Sequence, residues 1–261
     1  MLLYRIGPEG FYAVGDEADG EMRLLHSDPL AEPVERWKLG RRVAREGAAL
    51  LAPVMPGKIV GIGRNYVEHA REMESSVPSE PLLFLKAPSS VIGPRSPVVL
   101  PLESQRVEYE GEIAVVVRER LRRATAEEAV RGVLGVTCAC DVTARDLQRK
   151  DATFARAKSF DTFCPLGPGI LAGAGLDLGD LTVVTRLNGE ERQRGSTHGM
   201  VFGIVDLLVY ASRMMTLEPG DVLLTGTPGG VGQLAGGDLI EVEISGVGVL
   251  ANPVETWKQA P

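Results

Sequence analysis

The stretch Val-Glu-Tyr-Glu-Gly-Glu-Ile-Ala-Val-Val-Val at 107–117 constrains this chain more than any other part of its sequence. It reads as a strand, and side chains at i, i+2 and i+4 of a strand share one face. Glu108, Glu110 and Glu112 therefore stack on one edge, with neighbouring Cα atoms about 6.6 Å apart. On alternation alone this is a solvated face. The continuation argues otherwise: positions 114 and 116 carry Ala and Val, and the run IAVVV reads as buried on both sides. The acidic face then enters a core, where closely spaced carboxylates repel and need a compensating partner. A hard divalent cation, which prefers oxygen ligands, is such a partner. Gly111 leaves room on the opposite face.

A third carboxylate is at hand. Asp141 closes the apolar strand expected over 133–140, either as a plain turn residue or N-cap, or as a site residue at a strand end. Three carboxylates with waters suit Mg²⁺ or Mn²⁺ better than Zn²⁺, which favours His and Cys. Cys138 and Cys140 share a strand face with no His nearby and read as core residues; with Cys164 they make three, too few for a disulfide framework.

The expected architecture is α+β and β-rich. Strands are expected over 2–6, 11–14, 22–25, 58–63, 81–85, 97–100, 112–117, 133–140, 181–187, 222–225 and 238–244. Helices are fewer. Thr125-Ala-Glu-Glu128 is a capping box opening a short helix that ends near Gly132; Asn65 reads as an N-cap for a helix from 66 to about 74; Thr143-Ala-Arg-Asp146 can open another; and 202–215 is apolar at helical spacing. Strands do not alternate strictly with helices, which argues against a doubly wound sheet. Pro53, Pro56 and Gly57 divide a small N-terminal region, 1–55, from the remainder, 56–261.

Composition removes other classes. Asp plus Glu (35) exceed Lys plus Arg (28), for a net charge of −7, so the basic excess of a nucleic-acid binder is lacking. No apolar run approaches the roughly 18 residues needed to span a bilayer. The opening MLLYRIGPEGF shows no signal-peptide pattern, so the expected location is cytoplasmic.

Three further features carry chemistry. His69 and Glu72 are three apart on an expected helix and face the same way; they are either ordinary surface residues or an imidazole oriented by a carboxylate for proton transfer. Lys158, in the loop KSFDTFCP, is either exposed or able to steady an oxyanion. The turn TGTPGGVG at 225–232 is either a tight turn needing Gly or a nest of N–H groups for an anion; it lacks the Lys of a Walker A loop.

Taken in order, these segments resemble the fumarylacetoacetate hydrolase family. The matching stretches are GIGRNYVEHARE (61–72), PLLFLKAPSSVIGP (81–94), VEYEGEIAVVV (107–117), DVTARDLQ (141–148), KSFDTFCPLGP (158–168), LNGEERQ (187–193) and LEPGDVLLTGTPGGVG (217–232). The resemblance implies an FAH-like mixed β-sandwich or roll with a few short helices, a homodimer, and one Mg²⁺ or Mn²⁺ held by Glu110, Glu112 and Asp141. It implies catalytic roles for His69, Glu72 and Lys158. Substrate contacts are implied for Arg64, Asn65, Lys86, Gln148, Gly226 and Thr227. Glu108 has no role by this match. Cys140 stands where Asn often precedes the metal Asp, and Phe154 where Trp is often found.

The implied substrate is a 2-oxo or 2-hydroxy-dienoic dicarboxylate that reacts through an enolate. The form of the motifs is most similar to 2-hydroxyhepta-2,4-diene-1,7-dioate isomerases. C–C hydrolysis of acylpyruvates or fumarylpyruvate and decarboxylation of oxaloacetate are the alternatives, and a non-catalytic 2-oxo acid binding protein is the reading from another class. The helix that carries His69 is expected to act as a lid, because the stretch 74–80 that follows it is polar and contains Pro.

Overall fold

The computed structural model describes residues 1–15, 20–72, 76–173 and 176–258. The chain opens with a meander of β1 (Leu2–Ile6), β2 (Phe11–Gly15), β3 (Glu21–Leu25) and β4 (Leu39–Ala44). There follow β5 (Ile59–Gly63), α1 (Val67–Glu72), β6 (Leu82–Lys86), β7 (Val91–Ile92), β8 (Val98–Leu100), β9 (Val107–Tyr109) and β10 (Gly111–Val117). The middle of the chain forms α2 (Ala126–Arg131), β11 (Val133–Cys140), β12 (Thr143–Ala144), α3 (Arg145–Lys150), α4 (Ala155–Lys158) and β13 (Cys164–Ala172). The last part forms β14 (Thr182–Leu187), β15 (Glu190–Ser196), α5 (Ile204–Met214), β16 (Val222–Leu224), β17 (Gly232–Gln233), β18 (Leu239–Ile244) and β19 (Gly248–Thr256).

The principal sheet runs β4-β3-β2-β1-β13-β11-β10-β16-β5-β6, with β7 paired parallel to β13. A second sheet runs β15-β14-β18-β19-β8, and β12-β9-β17 form a small third one. The fold is the β-rich α+β arrangement expected. Strand β10 shows why the run IAVVV must be apolar throughout. Ile113, Val115 and Val117 pack with Val183, Val242 and Ile244 of the second sheet. Ala114 and Val116 face the other way, onto Leu3, Trp37 and Val54 from the N-terminal residues. Both faces of β10 are thus removed from water, the usual condition for a continuously apolar strand.

The capping box forms as expected: Thr125 Oγ1 accepts from Glu128 N, Glu128 Oε2 accepts from Thr125 N, and α2 ends at Gly132. Two other helix starts differ. Asn65 does not cap α1; its amide donates to Phe202 O and Thr225 O, and its carbonyl oxygen accepts from Phe202 N. The polar side chain serves buried loop carbonyls that nothing nearer can satisfy. Thr143 belongs to β12, its hydroxyl donating to Asp141 O, and α3 starts two residues later. The helix expected as a lid is α1; of the polar stretch after it, 74 and 75 lie outside the described residues. Among the described residues, no helix is long and apolar enough to cross a membrane.

Candidate metal centre and active site

The acidic strand is not one strand. It breaks at Glu110: β9 pairs with β12 and β17, whereas β10 enters the principal sheet. The expected three-carboxylate face is corrected accordingly. Glu108 turns to Arg106 (Oε1 to Nε 2.5 Å) and Arg145 (Oε2 to Nε 2.6 Å) and does not join the carboxylate cluster. Glu110 and Glu112 remain together. Pairing of Gly111 with Cys140 sets Asp141 beside them, and Asp141 N donates to Glu110 O at 2.7 Å. One carboxylate oxygen from each of Glu110, Glu112 and Asp141 lies within 4.8 Å of the others, and all three residues are buried.

Burial of this much charge requires counter-ions. Lys158 Nζ bridges Glu110 Oε2 (2.7 Å) and Asp141 Oδ2 (2.5 Å). Lys86 Nζ reaches Asp141 Oδ1 at 2.5 Å. Arg145 joins Glu108 to Glu110 Oε1 (2.5 Å) and donates from Nη1 to Gln148 Oε1 (2.6 Å). Burial works against ionising Glu110, but Lys158 and Arg145 outweigh it and hold that carboxyl below the usual range. Burial also opposes the charged form of Lys158, and Asp141 and Glu110 more than compensate, so the ammonium is held above its ordinary value.

Glu112 is the exception. Its one hydrogen-bond donor among the described residues is Gly226 N, at 2.6 Å. Burial, then Asp141 and Glu110, push its carboxyl well above the usual carboxylate range. A buried carboxylate with like-charged neighbours and no cation of its own has the chemistry of an incomplete ion site. An all-oxygen donor set of this kind fits Mg²⁺ or Mn²⁺.

A cavity of about 620 Å³ opens onto Glu110 and Glu112 and is also lined by His69, Glu72, Gln148 and Lys158. His69, on α1, is buried; its Nδ1 lies 3.6 Å from Glu72 Oε2, too long for a hydrogen bond, and has no partner. Glu72 accepts from Gly230 N at 3.1 and 3.3 Å. The 225–232 turn therefore directs N–H groups at two carboxylates of its own chain, Glu112 and Glu72. Lys158 Nζ also lies 4.9 Å from the centre of the Phe84 ring, on the cavity wall.

The remaining expected contact residues divide. Arg64 and Thr227 line the cavity. Asn65, Lys86 and Gly226 do not; they stand behind it, bonded respectively to loop carbonyls, Asp141 and Glu112. Thr227 Oγ1 donates to Gly111 O at 2.8 Å and accepts from Gln193 Nε2 at 2.8 Å.

The family described as fumarylacetoacetate (FAA) hydrolase C-terminal matches residues 58–255. The chain belongs to the fumarylacetoacetate hydrolase family. The structure of 5-carboxymethyl-2-hydroxymuconate delta-isomerase from Mycobacterium smegmatis is similar, with a TM-score of 0.89 and 38% identity over 98% of this chain and 100% of that one. So is that of 2-hydroxyhepta-2,4-diene-1,7-dioate isomerase from Mycobacterium marinum, with a TM-score of 0.88 and 35% identity over 99% and 100%. The mitochondrial oxaloacetate tautomerase FAHD2A of Homo sapiens is 43% identical over 221 residues, 80% of this chain and 70% of that protein.

Within this family member, both unusual residues are accommodated by packing. Cys140 joins the main core and its thiol is pushed up to about 12 by burial. Phe154 meets Phe84 edge-on, with ring centres 6.0 Å apart. Sequence reasoning missed Arg145 and Gln193. Gln193 is the buried position of an otherwise polar strand, a signal hidden because β15 itself was not foreseen. Its Oε1 accepts from Gly111 N at 2.9 Å, so side chains hold both backbone groups of the residue between Glu110 and Glu112.

Gly111 has no spare space: an added Cβ meets Thr185 Oγ1 at 1.9 Å. Gly111→Ala is expected to destabilise the protein by about 1–3 kcal/mol and to displace both glutamates. Thr185 Oγ1 is buried without a partner, so Thr185→Ala alone is expected to cost little. Combined with Gly111→Ala it should recover part of the loss, read by thermal melting and Mn²⁺ titration.

Proposed function

We propose that this chain is a Mg²⁺- or Mn²⁺-dependent enzyme that moves a proton on the enol of a 2-oxo or 2-hydroxy-dienoic dicarboxylate. A 2-hydroxyhepta-2,4-diene-1,7-dioate isomerase is the form favoured. The observation that carries the reading is one cavity holding both a buried oxygen-donor trio and an imidazole whose Nδ1 has no partner. Binding alone needs the first but not the second. The names of the three relatives above, two isomerases and a tautomerase, support it.

A divalent cation held by Glu110, Glu112 and Asp141 would supply Lewis acidity toward the 2-oxo oxygen and its carboxylate. His69 takes the proton from one carbon or oxygen of the enol system and returns it at another. Glu72, fixed by Gly230 N–H, stands 3.6 Å from the imidazole Nδ1 and places a carboxylate on that side of the ring. Lys158 places a positive charge where enolate charge develops. Gln148, anchored by Arg145, and Thr227 line the cavity and offer polar contacts to the substrate. We also take the chain to act as a homodimer, which sedimentation tests directly.

The deciding experiment follows enol absorbance with Mg²⁺, with and without EDTA, while products are identified. EDTA-sensitive isomerisation without chain cleavage supports the proposal. Stoichiometric cleavage of an acylpyruvate replaces it with C–C hydrolysis. Binding of 2-oxo acids with no turnover of any tested substrate replaces it with the non-catalytic reading.

A further inference from the structure

Two cations on the cavity wall have no partner among the described residues, and of these only Arg64 was expected to touch substrate, with no part of the substrate assigned to it. Arg64 and Arg149 line the cavity, and among the described residues neither side chain makes a hydrogen bond or an ion pair. Every other cation near the carboxylates is committed: Arg106 and Arg145 to Glu108, Arg145 and Lys158 to Glu110, Lys86 and Lys158 to Asp141. Glu108, Glu110, Glu112 and Asp141 are thus matched in number by Arg106, Arg145, Lys86 and Lys158 before any metal enters. Glu72 is a further carboxylate on the wall, so a divalent ion leaves the cavity with an excess of one positive charge, and the two free guanidinium groups add to it. A monoanionic ligand does not balance that excess; a dianion comes closer.

The backbone aims both groups. Arg64 sits at φ 59°, the left-handed region that a residue with a Cβ enters only at a cost. The next residue, Asn65, is fully buried and held by three hydrogen bonds, which fix the turn and so the direction of Arg64. Arg149 lies on α3 four residues after Arg145 and one after Gln148, so all three share a helix face. Arg145 is buried against Glu108 and Glu110, Gln148 is partly buried, and Arg149 is exposed. That face runs from the carboxylate cluster to the mouth of the cavity.

Resting on the function proposed above, we infer that Arg64 and Arg149 form an anion subsite at the mouth that reads a second carboxylate, at the end of the substrate remote from the metal. The forked guanidinium group suits a carboxylate. The apolar side chains of Leu82, Phe84 and Phe154 line the same cavity and offer contacts to a hydrocarbon spacer.

The test is calorimetric binding of two unreactive acids in the presence of Mg²⁺. 2-Oxoglutarate and 2-oxopentanoate share the 2-oxo acid end and differ at the far end, a carboxylate in one and a methyl group in the other. Wild type is expected to prefer 2-oxoglutarate by about tenfold or more. Arg149→Gln, at an exposed position that leaves folding intact, and Arg64→Asn, which tolerates the left-handed backbone, should each shrink that preference, and the pair should erase it. Oxalate, which has no far end, should bind all variants alike. No preference in wild type, or one that survives in both variants, overturns the subsite. Failure of oxalate to bind wild type in a Mg²⁺-dependent way overturns the metal reading instead, and the ratio for the two 2-oxo acids still decides the subsite.

Discussion

Glu112→Gln is expected to abolish tight divalent-metal binding while leaving the chain folded and, at neutral pH, more stable than the wild type without metal. The isosteric amide removes a charged ligand from a trio whose other members already share cationic partners. Loss of an outer partner costs about 10–100-fold in metal affinity, so loss of a ligand should exceed that. The stability gain follows from the raised carboxyl of Glu112. A carboxyl that holds its proton more tightly when folded carries no penalty below its unfolded pKa of about 4.3. The penalty grows as pH rises and is complete above the folded pKa. The advantage of the variant should therefore open with rising pH and close near pH 4. Mn²⁺ calorimetry and metal-free melting at pH 4 and pH 7.5 read both effects; an affinity loss under about tenfold counts against Glu112 as a ligand.

His69→Asn is expected to lower kcat by about 10²–10⁴, the usual contribution of a positioned general acid or base. Its Mn²⁺ affinity should stay close to wild type, because the imidazole lines the cavity without belonging to the carboxylate trio. Glu72→Gln should lower kcat less than His69→Asn does, since the amide can still face Nδ1 but no longer places a negative charge beside it. Equal losses of kcat and Mn²⁺ affinity in His69→Asn would place His69 at the ion instead.

Local patterns were legible where local physics decides them. The Thr125–Glu128 box and the runs that became β1, β5 and β11 needed only capping and β-branched composition. Strand β13 was hidden by Pro165, Gly167, Pro168 and Gly169, which punctuate it like a loop; it extends because β1 and β11 pair with it from either side. Strand β15 was hidden because nearly all its residues are polar, with Gln193 alone fully inward. At the site, the parity of Glu110 and Glu112 and the strand-end place of Asp141 were readable along the chain. The counter-ions were not, because Lys86 and Arg145 reach the carboxylates only through tertiary closure. Nor was the break at Glu110, which depends on two sheets meeting there.

The bridging of Glu110 and Asp141 by Lys158 bears on how such a protein lives with a fluctuating ion supply. In small zinc domains the apo chain is unfolded, so metal scarcity means loss of the protein. Here most of the repulsion that an empty acidic pocket would create is already quenched by lysine and arginine from the same chain. With the ion proposed above, folding and ion loading would be separate events. Newly made chains would mature before meeting an ion, and a period of starvation would leave a dormant pool rather than a degraded one. Activity would then return at the speed of ion uptake, without new synthesis.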